Sequence, residues 1–265
     1  MNNVTLSQFS AVPMAIAAHA GAPLAHIFDT TMHLCLNRPD QHNRLDPHDL
    51  APLTALFKAL TQDHESGAHA IRCLVITGAG EKTFSSGYTL DALASQLDFR
   101  FEAMLNALED LPQYTIAALN GSVYGGATDL ALACDARIGL TGTKMFMPAA
   151  KIGLHYYPSG LRRYVSKIGH TATSKLMLTA LTIDCYEMLR IGYLTELCER
   201  DQQLALIQRY AHAIAANDPI VVAQMKLHIR QIAEGKPDYS ALEAAHVRSL
   251  KSDSMRIRLA GVLKK

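Results

Sequence analysis

Apolar and polar positions along the chain switch between two periods. Leu24 to Phe28, Met32 to Leu36 and Ile71 to Thr77 are short apolar, β-branched runs that predict strands, the last of them buried. Between them Leu50, Leu53, Phe57 and Leu60 recur at helical spacing, Pro47 suits a first helical turn and Asp46 can cap it, so a helix is predicted from Pro47 to Gln62. Phe101, Met104, Leu105 and Leu108 form a second helical face, which Pro112 ends. Strand, turn and helix return at Thr115 to Cys134, followed by extended segments at Arg137 to Leu140 and Met145 to Ala149. Helices then dominate: Pro158 to Ile168, Thr171 to Thr179, Cys185 to Ile191, Gln202 to Asn217, Val221 to Glu234 and Ala241 to Leu250. The alternation predicts an α/β fold with helices packed around sheets. Residues 1–20 read as an arm, 21–198 as the mixed core and 199–265 as a helical region.

With 265 residues, 49% of them hydrophobic, the chain can bury a full core. Its net charge of +1 and the lack of a long basic run point away from nucleic acid and membrane surfaces and toward a small-molecule partner. The 5 cysteines are widely spaced and form no Cys-x-x-Cys pair, as expected of buried thiols in a reducing compartment. Met1 to His19 carries no basic flank and no apolar run approaches bilayer length, so a cytoplasmic location is expected.

Candidate chemistry gathers between Asn120 and Gly160. Gly125 and Gly126 follow an apolar strand and precede Leu130 to Ala133, which reads as strand, turn and helix. The first amides of a helix lack intrahelical partners, and the helix dipole adds partial positive charge there, so such a turn can stabilise an oxygen that gains negative charge. A tight turn that only packs a helix on a strand would carry the same residues. A second glycine-bearing loop, Phe84-Ser-Ser-Gly-Tyr-Thr89, leads into Leu90 to Leu97. The histidines form no HExxH or similar metal spacing.

Together, Leu36-Asn-Arg-Pro-Asp, Phe84-Ser-Ser-Gly, Asn120-Gly-Ser-Val-Tyr-Gly-Gly-Ala and Lys151-Ile-Gly-Leu resemble, in order and spacing, the landmarks of the crotonase (enoyl-CoA hydratase/isomerase) superfamily. The resemblance covers Leu24 to Leu263. It implies a spiral of ββα units, a helical C-terminal region at a subunit interface, trimers often paired into hexamers, and a thioester of coenzyme A or acyl carrier protein as substrate, with no further cofactor. It also implies an oxyanion hole made by the amides of Tyr88 and Gly126, with Gly87 and Gly125 allowing the close approach and Tyr124 near the acyl group. Hydratases of the family use two carboxylates: the first maps to Asp129, the second to Ala149, which cannot transfer a proton.

Within the superfamily the local likeness is to methylmalonyl-CoA decarboxylase, through the Asn120 motif and Gly153-Leu-His-Tyr156, although that enzyme has a histidine where this chain has Tyr88. Tyr156 matches a tyrosine that holds the substrate carboxylate there. Loss of CO₂ needs no base, because the electrons flow into the thioester as an enolate. Decarboxylation or isomerisation is therefore expected ahead of hydration, with Asp129 and Tyr156 as catalytic candidates and His155 as a substrate-side acid or base. The alternatives are a hydratase using another acid or base, and a non-catalytic acyl-thioester binding protein. Asp129 could equally serve only its helix dipole, and the aromatic pair Tyr156 and Tyr157 could serve only packing.

Overall fold

The computed structural model describes residues 6–89 and 98–263, so the predicted segment Leu90 to Leu97 lies outside the described residues. In chain order the elements are β1 (Met14–Ala15), β2 (Leu24–Phe28), β3 (Thr31–Leu36), α1 (Pro47–Glu65), β4 (Cys73–Gly78), β5 (Thr83–Ser85) and α2 (Phe99–Glu109). Next come β6 (Tyr114–Ala118), β7 (Ser122–Tyr124), α3 (Gly126–Ala133), β8 (Ala136–Leu140), β9 (Lys144–Phe146) and α4 (Pro158–Thr179). The chain ends with β10 (Ile183–Asp184), α5 (Cys185–Arg190), β11 (Glu196–Cys198), α6 (Arg200–Ala216), α7 (Pro219–Ala233), α8 (Tyr239–Leu250) and α9 (Asp253–Val262).

Two sheets result. One has seven strands in the order β1-β2-β3-β4-β6-β8-β11, parallel from β3 onward. The other has four, β10-β9-β7-β5, with β5, β7 and β9 parallel. Successive strands alternate between the sheets: β4 goes to the large sheet and β5 to the small one before α2, then β6, β7 and α3 repeat the pattern, then β8 and β9. This is the expected spiral of ββα units. Its main core lies between the layers, with Leu34, Ile76, Phe84, Phe101, Leu105, Leu119, Val123 and Leu130 all buried. The outer face of the large sheet, Val75, Ile116 and Ile138, is covered by Ile207 and Ala211 of α6. The first helix of residues 199–265 therefore belongs to the core packing.

Differences from the sequence reading fall where local patterns are short. The three-residue β7, between Gly121 and Gly125, carries too few positions to show a period of two, so the sequence shows only a turn there. The two helices expected at Pro158 to Ile168 and Thr171 to Thr179 are present, joined across a break at Gly169, whose φ of 76° is the left-handed conformation that glycine adopts at little cost. The arm adds a strand, β1, to the edge of the large sheet and buries Phe9 and Ile16. No helix among the described residues is long and apolar enough to cross a membrane.

The glycine loops are held by two asparagines. Asn43 Nδ2 donates to the carbonyls of Ala79 and Thr83, each at 2.8 Å, and its Oδ1 accepts the Arg38 amide. Asn120 Oδ1 accepts the Gly78 amide at 2.9 Å while its Nδ2 donates to Gly80 O at 2.8 Å. A Cβ on Gly121 would lie 2.4 Å from the Lys82 carbonyl carbon, so the turn after β6 rests backbone to backbone on the turn after β4. Asn120→Ala should strand a buried amide and lower stability by about 2 to 4 kcal/mol. Urea unfolding measures this, and an unshifted midpoint would show that the contact contributes nothing.

Candidate active site

The first wall of the site is the loop after β5. Ser85, fully buried, donates its hydroxyl to Asn43 O at 2.7 Å and accepts the Gly87 amide at 3.0 Å. Leu45 N donates to Gly87 O and Thr89 N to Leu45 O, so the segment through Tyr88 lies alongside Leu45 like a short strand. Gly87 takes φ of 85°, which favours glycine. The second wall is the turn from β7 into α3, where Gly125, φ 53°, gives its amide to Phe146 O at 2.9 Å. Gly126 then opens the helix. As its first residue, Gly126 has no intrahelical acceptor for its amide.

These loops meet through their backbones. A Cβ on Gly87 would stand 2.5 Å from Gly126 N and 2.9 Å from both Ala127 N and Tyr124 O, and a Cβ on Gly126 would stand 3.6 Å from Tyr88 N. Only a residue without a side chain fits at 87. Tyr88, Tyr124, Gly125, Gly126, His155 and Tyr156 all line one cavity of about 760 Å³, and Gly87 sits directly behind its wall. Most of the remaining wall is apolar: Phe99, Phe101, Phe146, Met147, Pro148, Ala149, Ile152 and Leu154. Ala149 is 4% exposed and brings no proton-handling group.

Asp129, expected to act on substrate, does not line the cavity. It is fully buried one layer behind it, where its carboxylate accepts from Arg163 Nε at 2.9 Å and from Nη2 at 3.0 Å. Its Oδ2 also accepts the Tyr157 hydroxyl at 2.5 Å, and the hydroxyls of Tyr157 and Tyr156 lie 3.0 Å apart. The fully buried guanidinium is the physical reason for this placement, because a charge withdrawn from water requires a paired, hydrogen-bonded partner. Arg163 also donates to Asn106 Oδ1 and Glu109 Oε2, at 2.8 and 2.9 Å. Burial opposes its charge, but the Asp129 and Glu109 carboxylates more than offset this and raise its pKa. Burial likewise works against the Glu109 carboxylate, yet Arg162 and Arg163 hold its pKa below the ordinary value.

Proton order in the tyrosine pair follows from the donors available. Since Tyr157 spends its one O–H on Asp129, the contact between the phenols requires Tyr156 to donate to Tyr157. Both pKa values lie well above the usual phenol value, through burial first and then the Asp129 charge, so neither ring is a ready acid. The two rings stack with centroids 4.3 Å apart and fit because Gly160 lacks a Cβ, which would stand 2.3 Å from the Tyr156 ring. Tyr156 thus faces the cavity with its proton turned inward. His155 is exposed, and its Nδ1 lies 2.8 Å from the Tyr156 carbonyl; an acceptor-only oxygen there makes Nδ1 the donor.

Sequence reasoning missed Arg163, Tyr157 and Glu102, the last a half-buried carboxylate on the cavity wall. Arg163 left a signal. It falls with Gly160, Tyr164 and Ile168 on the buried face of α4, and an arginine at helical spacing among core positions marks a buried charge that needs partners.

The loop of Gly87 and Tyr88 and the start of α3 at Gly126 thus meet on one cavity whose wall is mostly apolar. The chain belongs to the enoyl-CoA hydratase/isomerase family, whose model matches residues 28–257, and whose members are lyases and isomerases acting on acyl thioesters. It is 30% identical over 200 residues to (E)-benzylidenesuccinyl-CoA hydratase of Thauera aromatica, covering 73% of this chain and 76% of that one. Among solved structures, DspI of Pseudomonas aeruginosa superposes with a TM-score of 0.80 at 26% identity, over 91% of this chain and 94% of that one. A Thermobifida fusca protein crystallised with acetoacetyl-CoA shares the fold, with a TM-score of 0.75 at 24% identity over 88% and 95% of the two chains. These findings do not single out methylmalonyl-CoA decarboxylase within the family.

Arg163→Met would leave Asp129 and Glu109 short of their cation and should cost about 3 to 5 kcal/mol in urea unfolding. Because Glu109 has a depressed folded pKa, its contribution is complete above the unfolded carboxyl value of about 4.3 and is lost as pH falls through the lower folded value. Glu109→Gln should therefore flatten the acid side of the stability curve; an unchanged acid limb would contradict the pairing. Tyr156→Phe removes one internal donor and should lower stability by about 0.5 to 1.5 kcal/mol. A stability equal to that of the parent would show that the hydroxyl is free for substrate.

Proposed function

We propose that this enzyme binds the thioester carbonyl of an acyl-CoA between the amides of Tyr88 and Gly126 and stabilises the enolate formed there. Double-bond isomerisation or decarboxylation is favoured over hydration. The observation that carries the reading is the backbone contact of Gly87 with Gly126, which sets the two amides side by side on a cavity wall that has alanine at 149. A preorganised donor aimed at a developing oxyanion contributes about 3 kcal/mol to the transition state. Hydration requires groups that position water and move two protons, and the expected second carboxylate is absent at 149.

Asp129, Tyr157 and Tyr156 act in this reading as positioning residues that fix the back of the cavity; the acyl chain rests against Phe99, Phe101, Phe146 and Met147. Tyr124 borders the acyl group, and His155 stands at an exposed position where polar substrate atoms enter. Residues 199–265 are proposed to form the trimer interface, supported by the apolar side chains Ile220, Met225, Ile229, Ile232, Ile257 and Leu259, which the isolated chain leaves exposed.

A panel of enoyl, malonyl and methylmalonyl thioesters followed by mass spectrometry tests the reading. Crotonyl-CoA hydration should be slower by about 10² to 10⁴ than expected of a two-carboxylate site, and Ala149→Glu should raise it. Robust hydration by the native chain, with no isomerisation or decarboxylation of any panel member, would overturn the proposal.

A further inference from the structure

We infer that Glu102 is the catalytic acid–base of this site, and that the reaction it serves is migration of a carbon–carbon double bond toward the thioester. This rests on the enolate function proposed above. Glu102 lines the same cavity as Tyr88 and Gly126. It follows Phe101 on α2, and Phe101 is the side chain nearest the oxyanion turn: a Cβ on Gly126 would lie 2.8 Å from its Cζ.

Glu102 is held like a working carboxylate. Its Oε1 accepts from the Ser159 amide at 3.1 Å and from the Ser159 hydroxyl at 2.6 Å, while its other oxygen takes no hydrogen bond from any described residue. Ser159 in turn accepts from Arg163 Nη2 at 3.5 Å, so the carboxylate is oriented through the same buried cation that fixes Asp129. One oxygen is anchored and the other is left to the cavity.

Other titratable groups on the wall are otherwise engaged. Asp98 caps α2 by accepting the Arg100 amide and pairs with the Arg100 side chain at the surface. Arg44 pairs with Asp46. Tyr156 and Tyr157 hold their protons through burial and the Asp129 charge. His155 is exposed, with Nδ1 turned to the Tyr156 carbonyl. The charged neighbours of Glu102 are thus Arg163 behind Ser159, Asp98 and Arg100 at the start of its own helix, and Arg44 and His155 on the cavity wall.

The step balances with this one group. The Glu102 carboxylate removes the proton from the carbon between the carbonyl and a β,γ double bond. The C–H electrons form a double bond between the α-carbon and the carbonyl carbon, and the carbonyl π electrons move onto the oxygen, whose charge rests at the two amides; on its return the enolate electrons become the α,β double bond and the β,γ electrons reach the γ-carbon. When the charge returns, the γ-carbon takes the proton back from Glu102, leaving an α,β-unsaturated thioester and a carboxylate ready for another turn. Nothing else is consumed.

The test uses 3-enoyl thioesters of coenzyme A with short, medium and long acyl chains, followed by ultraviolet absorbance and by NMR of α-proton exchange in deuterated buffer. Glu102→Gln keeps an acceptor for Ser159, so its melting temperature should match the parent, while isomerisation and exchange should fall by about 10² to 10⁴. Isomerisation and exchange should fall together in the variant, because both begin with the same removal of the α-proton. Glu102→Gln that isomerises and exchanges within a few-fold of wild type would overturn the assignment while leaving the enolate reading intact. Absence of both activities in the wild-type enzyme would overturn this inference, and the enolate reading falls with it only if malonyl and methylmalonyl thioesters are not decarboxylated either. Should the variant fail to fold, Glu102→Asp, which keeps the carboxylate but withdraws it by one methylene, should lower exchange and isomerisation, and rates within a few-fold of wild type there reject Glu102.

Discussion

The site depends on a contact in which two stretches of main chain approach more closely than any side chain would permit. Gly87 and Gly126 come from different turns of the spiral, and a single methyl group on Gly87 would fall 2.5 Å from the facing amide nitrogen. Such an approach is possible only if the strands feeding the loops are fixed in register. That is the service of the parallel pairing of β5 with β7 and of the two asparagines that tie loop to loop. The sheets, the asparagine ties and the glycines therefore act as one unit, whose output is the separation of two N–H groups.

Behind this backbone unit lies a charge held out of water. Arg163 is fully buried and is matched by two carboxylates, Asp129 and Glu109, and by the Asn106 side chain. Burying such a set is costly, and an apolar replacement of similar volume is often no less stable, so stability alone is a weak reason for it to exist. What the cation does uniquely is connect. One arm runs through Asp129 and Tyr157 to Tyr156, and another through Ser159 to Glu102, so polar groups on two parts of the cavity wall take their orientation from one interior point.

Local chemistry was the legible part of this chain. Pro47 and Asp46 at a helix start, the glycine turn before α3 and the two-period alternation of apolar residues each involve neighbours in sequence, and each appears where expected. Partners far apart in the chain were not legible: Asn120 reaches back 42 residues to Gly78, and Arg163 reaches back 34 to Asp129. Asp129 was found as a residue but not as a neighbour, because its role depends on which helix packs over it. The choice between Tyr156 and Tyr157 shows the same limit. The two rings stack and both line the cavity, and only the packing of α4 decides that the Tyr157 hydroxyl is the one that meets Asp129.

The replacement of a carboxylate by Ala149 has consequences for water as well as for protons. An ordered water generally needs two to four polar partners, on the order of three hydrogen bonds, to be held in a protein cavity. At this wall it would meet Met147, Pro148 and Ala149. That stretch of wall offers water few hydrogen-bond partners, whereas a C–H acid needs no hydrogen bond of its own. It needs one base in reach and an anion site for the electrons it leaves behind. On the proposed reading, a cavity with two amides, a serine-held carboxylate and a mostly apolar wall meets that smaller requirement, and the apolar part of the wall strengthens the charge interactions beside it.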